Sequence, residues 1–284
     1  MGIIQKDGFD FIDDLKEVPS TFIIKGHDLD EEINYIKNNQ IKSIYLTEFK
    51  SKAIINLDFL KELKFINEVN LNGVDFDYDG LYHLENIKKL TLSIKNKNQY
   101  LDFSKFLELE ELSIDWYKEF PNLSDNRKLR KLAIWKFRPQ TSSLSALSLP
   151  EFLEELHLTE SNILNLKGVE LLNLKEFQAH HCKELQSLDG LFSFSPKIKI
   201  LILDYCRKLT NYNELRYCIN LQKIVLGDCG DIPSLKWLES LKEINHLSFW
   251  GTNLVDGNTS YCKGINYVNF KNKRNYSNKV EEFR

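Results

Sequence analysis

The side chains best suited to chemistry lie close together in this chain. His157, His180 and His181 precede Asp204, and Cys182, Cys206 and Cys229 recur among them. Imidazole, carboxylate and thiol groups within reach of one another could hold a metal ion or drive a hydrolysis. The local spacing argues against both. There is no CxxC pair, no Gly-x-Ser-x-Gly elbow, no phosphate loop and no HExxH pair, the patterns that give such groups a working geometry. His180 and His181 are adjacent, so in an extended strand they point to opposite sides and do not converge on one ion. With Asp204 one strand over they suggest at most a weak site. We therefore expect no catalytic residue, no metal ligand and no cofactor.

The recurrence of cysteine leads to a larger pattern. From Leu174, apolar or small residues fall at Leu174, Phe177, Ala179, Cys182, Leu185 and Leu188. The same offsets from Ile198 give Ile198, Leu201, Leu203, Cys206, Leu209 and Tyr212. From Leu221 they give Leu221, Ile224, Leu226, Cys229, Ile232 and Leu235. Further LxxLxL cores begin at Ile41, Ile66, Ile87, Leu109, Leu129, Leu153, Ile244 and Ile265, with successive starts 20 to 25 residues apart. A fixed period in this range is the mark of a stacked repeat.

Simple geometry explains the spacing. In LxxLxL the alternating segment is a strand whose second and third apolar residues point inward. The ninth position turns the chain away from the strand, and a small or polar side chain there can be buried while meeting exposed backbone groups. Later apolar residues, three apart, suit 3₁₀ or short helical turns on the opposite side. One unit cannot bury its own apolar edges, so neighbours must stack. On this register Cys182, Cys206 and Cys229 are turn residues and Cys218 fills an apolar slot. Free cysteine commonly plays that structural part. Cys262 falls outside the register.

These residues resemble the leucine-rich-repeat superfamily from about Ile41 to Phe270, most strongly between Leu153 and Leu241. The resemblance implies an α/β solenoid, a horseshoe with a parallel concave sheet of about eleven strands and a convex side of 3₁₀ turns, short helices and loops. Residues 1–40 break the rhythm and read as an N-terminal cap. Phe22 and Ile24 suit an entry strand there, and Asp28 with the following acids suits a helix near Leu29 to Asn38. Residues 41–270 are the repeats, and 271–284 a basic tail that closes the far end. Pro139 to Pro150 reads as an enlarged convex loop, and the whole as a single structural domain.

The register also says which side chains face outward. Those we single out for partner binding are Asp115, Trp116, Trp135, Lys136, His157, Glu160, His180, His181, Asp204, Tyr205, Asp228 and Trp250. Three of the four tryptophans lie on this surface, whereas Trp237 belongs to the convex apolar series. Exposed aromatics beside charge are what binding hot spots use. Asp115, Glu160, Asp204 and Asp228 add an acidic stripe, which suits a protein partner with a basic or mixed surface.

Composition narrows the function classes. A net charge of -3 gives no general pull towards nucleic acid or anionic membrane. No apolar run approaches the roughly 18 residues of a membrane helix, and the start does not read as a secretory signal. A cytoplasmic location is the expectation. Ile, Lys and Asn usage is that of an AT-rich bacterial genome. The chain is similar to small bacterial cytosolic leucine-rich-repeat proteins, some of which are immunity proteins that neutralise a partner toxin. That resemblance implies a non-enzymatic protein-binding module. An intracellular scaffold, a host-directed secreted effector and a sugar- or peptide-binding module remain the alternatives.

Overall fold

Each of the eleven LxxLxL cores carries a strand. The computed structural model describes residues 2–13, 20–75, 77–93, 101–116, 122–194 and 196–283. It divides into two units, Met1–Arg130 and Lys131–Arg284.

The first unit opens with an antiparallel pair, β1 (Gly2–Lys6) and β2 (Phe9–Asp13), followed by β3 (Thr21–Ile23) and helix α1 (Leu29–Asn38). The repeat strands β4 (Ser43–Thr47), β5 (Glu68–Asn72), β6 (Lys89–Ser93) and β7 (Glu111–Asp115) follow. From β3 to β7 neighbouring strands pair in parallel and in chain order. The β1–β2 turn is Asp7-Gly8, with φ of 52° and 86°, the left-handed pair that a two-residue hairpin requires. Phe9, Phe11, Phe22 and Tyr35 then pack ring against ring, with Phe9 and Tyr35 centroids 4.3 Å apart. The helix starts where expected, its first turn capped by the Asp28 carboxylate, which accepts from the Glu31 N–H at 3.1 Å. Buried Glu32 reaches back to accept from the Lys25 and Gly26 N–H groups at 3.0 and 2.9 Å.

The second unit holds β8 (Lys131–Trp135), β9 (Glu155–Thr159), β10 (Glu176–His180), β11 (Ile200–Asp204), β12 (Lys223–Gly227), β13 (His246–Ser248) and β14 (Tyr267–Asn269). All its neighbours pair in parallel, again in chain order. Leu132, Leu156, Phe177, Leu201, Ile224, Leu247 and Val268 are cross-strand partners in turn, and all are buried. A one-residue slip would turn this whole row to solvent, so the register is set by burial.

Away from the sheet the chain runs through 3₁₀ turns and one short helix, α2 (Leu191–Phe194). Many of these turns are opened by an Asn, Asp or Ser side chain that accepts from the N–H two residues on. Asn56, Asp77, Asp102, Ser143, Asn165, Ser187, Asn211, Ser234 and Asp256 all do so. Short polar side chains favour this local closure over a regular ladder. Trp237 is buried in its 3₁₀ turn, as the apolar series implied. Cys262, which the register left unplaced, is buried in the turn Thr259–Cys262. The tail folds back: the Tyr276 hydroxyl accepts from the Leu254 N–H at 3.0 Å, and Phe270 packs on Tyr276 and Phe283.

Phe177 is fully buried and meets Phe194 edge-on at 5.2 Å. Phe177→Ala should destabilise the protein by about 3–5 kcal/mol in urea unfolding. Leu107→Ala, at a residue 73% exposed, should cost no more than about 0.5 kcal/mol. Equal losses in the two variants would contradict the repeat register.

Candidate functional site

Every repeat must leave the sheet after its strand, and six of the seven described repeats of the second unit do so in one way. Lys136, Glu160, His181, Tyr205 and Asp228, each at the eighth position of its repeat, have φ of 57°, 56°, 54°, 54° and 45°. Gly251 holds the same place in the next repeat, with φ 74°. This left-handed turn lets each residue's N–H donate to the following strand's end. The acceptors are the carbonyls of Thr159, His180, Asp204, Gly227 and Trp250, at 2.7 to 3.0 Å. The next residue then drops into the interior. There Cys182, Cys206 and Cys229 point their thiols at strand carbonyls, Leu158, Ala179 and Leu203 respectively, at 3.4 to 3.7 Å. Thr252 does the same with its hydroxyl, at 2.7 Å from the Leu226 carbonyl. Cys182 and Cys206 are buried, and Cys229 is half-buried.

The expected contact residues therefore divide into four sets. Trp135, His157, His180 and Asp204 stand on strands and face outward from the sheet. Lys136, Glu160, His181, Tyr205 and Asp228 form a row of left-handed corners at the strand ends. Trp250 lies just beyond β13. Trp135 and Trp250 are 46% and 56% exposed. Asp115 and Trp116 belong to the first unit and are half-buried. Ser93 donates to the Asp115 carboxylate at 3.2 Å.

The corners interact along the row. The His181 ring stacks on Tyr205 with centroids 4.7 Å apart, and the Arg207 guanidinium lies 5.5 Å from the Tyr205 ring. Arg138 reaches Glu160 at 3.8 Å. Beneath them opens a polar groove lined by Arg138, Glu160, Ser161, Asn162, His181, Lys183 and Glu184. The buried Asn162 Oδ1 has no hydrogen-bond partner among the described residues.

On the strands, polar groups link across the sheet from β8 to β11. Lys131 binds Glu155 at 2.8 Å. His157 Nε2 lies 3.8 Å from Glu155 and 3.4 Å from Glu176. Gln178 donates to Glu176, and its carbonyl oxygen meets His180 Nε2 at 2.9 Å. His180 Nδ1 lies 3.8 Å from Asp204. Burial holds the His157 imidazole below its ordinary pKa, the Lys131 ammonium adding to the effect against the two glutamates. His180 ends its strand and His181 is the left-handed corner after it, so the two diverge at the turn, one towards Asp204 and the other onto Tyr205. The sequence reading missed Lys131, Glu155 and Glu176. They occupy the third position of their repeats, two residues before the positions followed along the face.

No protein-family model matches the chain, and no curated protein does. Solved structures are similar at low identity. Internalin C2 of Listeria monocytogenes is 16% identical over 74% of this chain and 83% of its own, with a TM-score of 0.46. The leucine-rich repeat domain of the type III effector XopL is 16% identical over 82% and 77%, with a TM-score of 0.45. An internalin F of Listeria monocytogenes is 17% identical over 78% of both chains, with a TM-score of 0.39. Among the described residues no helix is long and apolar enough to cross a membrane.

His246 stacks on Tyr267 with centroids 4.3 Å apart. Partial burial and then the Lys223 ammonium hold it below its ordinary value of 6.5. The unfolded chain thus takes up this proton first. The contribution of His246 to stability is complete above pH 6.5 and declines as pH falls through the folded-state value. An NMR titration should give a His246 midpoint below 6.5, raised in part by Lys223→Gln. A midpoint at or above 6.5 would contradict the stacked, half-buried placement.

Proposed function

With the leucine-rich-repeat architecture as its scaffold, we propose that this chain is a non-enzymatic protein-binding module, an immunity protein that neutralises a partner toxin. The contact surface is the outward sheet face of the second unit together with its left-handed corners. The observation that carries this reading is the pairing of exposed Trp135 and Trp250 with that row of charged and aromatic corners. Large aromatics cost solvation in a free protein and become anchors once covered. Lys136, Glu160, His181, Tyr205 and Asp228 stand on backbone fixed by cross-strand hydrogen bonds, so they meet a partner with little entropy left to lose. Acids at Glu160, Asp204 and Asp228 favour a partner whose contacting surface is basic or mixed. The Ile, Lys and Asn usage and the resemblance read from the sequence to small bacterial leucine-rich-repeat proteins, some of them immunity proteins, favour a toxin as that partner.

Trp135→Ala combined with Asp204→Lys should weaken binding of the captured partner by at least about 30-fold, the loss of one hot spot. Far-UV circular dichroism should be unchanged. The partner alone should arrest growth when expressed, and co-expression of the wild-type chain, but not the double variant, should restore it. Undiminished affinity in the variant would refute the surface. A harmless partner would refute the immunity role and leave the binding role standing.

A further inference from the structure

On the outward face of the second unit, Glu155 and Glu176 are direct cross-strand partners on β9 and β10. Like charges set opposite one another on adjacent strands destabilise a sheet. Lys131, the cross-strand partner of Glu155 on the other side, offsets one of the two. The second carboxylate has no ammonium within ion-pair distance among the described residues. Between the pair projects His157, two residues on from Glu155 and on the same face. Its Nε2 is buried and has no hydrogen-bond partner among the described residues. A buried polar atom left in this way is costly, and its neighbours explain where it points.

The distances have the wrong length for hydrogen bonding and the right length for something else. Nε2 stands 3.4 Å from Glu176 Oε1 and 3.8 Å from Glu155 Oε2, whereas an N–H···O bond closes at about 2.9 Å. Donor atoms bound tetrahedrally at about 2.0–2.1 Å from a zinc ion stand about 3.3–3.4 Å from one another. One edge of the triangle already has that length, a second exceeds it by a few tenths of an ångström, and the third, between the two carboxylates, is no longer than 4.8 Å. One ligand atom from each of the three residues lies within 4.8 Å of the other two.

We propose that Glu155, His157 and Glu176 form a binding site for a divalent transition-metal ion of the zinc class, with a fourth position left open. The chemistry of the surroundings fits. Each carboxylate is held by an outer partner, Glu155 by Lys131 and Glu176 by the Gln178 amide. Such partners orient the ligands of metal sites. One imidazole and two carboxylates suit zinc better than calcium or magnesium, which prefer oxygen alone. The ion would relieve the carboxylate repulsion and satisfy Nε2 in one step. The open position faces outward, where water or a donor from another molecule completes the shell. The site stands independently of the protein-binding reading. It also departs from the sequence expectation of no metal, which weighed His180, His181 and Asp204 and overlooked the two glutamates.

The test is calorimetric titration of the metal-stripped full chain with zinc chloride. One ion should bind per chain, and His157→Gln should lower the affinity at least about 100-fold. Gln178→Ala, which touches only an outer partner, should lower it about 10-fold. Cobalt(II) should give the intensified visible absorption of a tetrahedral nitrogen–oxygen site without a thiolate charge-transfer band. Glu176→Gln supplies a control against misfolding. It should abolish zinc binding yet raise the urea midpoint of the metal-free protein, because it removes the facing charge and keeps the Lys131–Glu155 pair. No zinc binding by the wild type, undiminished binding by His157→Gln, or a thiolate band that moves the metal to the cysteines would each overturn the proposal.

Discussion

A short strand that ends inside a stack has to release its chain without stranding its last carbonyls, and the second unit is organised around that requirement. In five of its repeats the left-handed residue after the strand keeps its N–H in the ladder, donating to a carbonyl at the end of the neighbouring strand or just beyond it. In four repeats the following residue, Cys182, Cys206, Cys229 or Thr252, turns inward and offers a thiol or hydroxyl to a strand carbonyl. Only then can the apolar residues of the far side reach the core. Buried backbone groups tolerate few exceptions to pairing, so where this two-residue device is present it decides where the later leucines of that repeat land. The site follows from the same geometry, because the corner that satisfies the ladder also lifts a side chain to the sheet's edge.

The repeat strands could be read from the sequence because burial repeats with the chain. Leu156 and Leu158, or Phe177 and Ala179, alternate with polar neighbours, and nothing but an inward-facing strand explains them. Helix α1 was equally visible, since Asp28 and the acids behind it announce an N-terminus. The β1–β2 hairpin was missed although Asp7-Gly8 spells out its turn, because the reading began from leucine spacing, which that segment lacks. The Asx and Ser turns recur at drifting offsets within repeats of unequal length, so their rhythm is hidden until the coordinates align it.

The candidate site was legible in identity more than in geometry. Facing outward is a property of one strand, and the alternation gave it for Trp135, His157 and Asp204. Among the described residues of the second unit, five of the six left-handed corners are not glycine, so no residue type marked them. The triad of Glu155, His157 and Glu176 depends on which residues of neighbouring strands lie opposite, and a gap of 21 residues hides that from a linear search. Cross-repeat ion pairs follow the same rule. Lys64–Glu85, Lys88–Glu110, Lys175–Glu154 and Lys208–Glu184 all join one repeat to the next. Exposed pairs of this kind add little stability each, but together they match one stacking order and oppose a slip.

The left-handed row also ties recognition to strain. Holding an ordinary L-residue at positive φ costs about 1–2 kcal/mol, a cost glycine escapes. Gly73, at the same position of its repeat in the first unit with φ 69°, shows that the ladder closes as well without a side chain, its N–H donating to the Ser93 carbonyl at 3.2 Å. Lys136, Glu160, His181 and Tyr205 are thus positions where the backbone would relax if the side chain were given up. Stability and surface chemistry are exchanged there one residue at a time, while the core beneath is left untouched. The edge of the sheet can therefore be rewritten without renegotiating the fold.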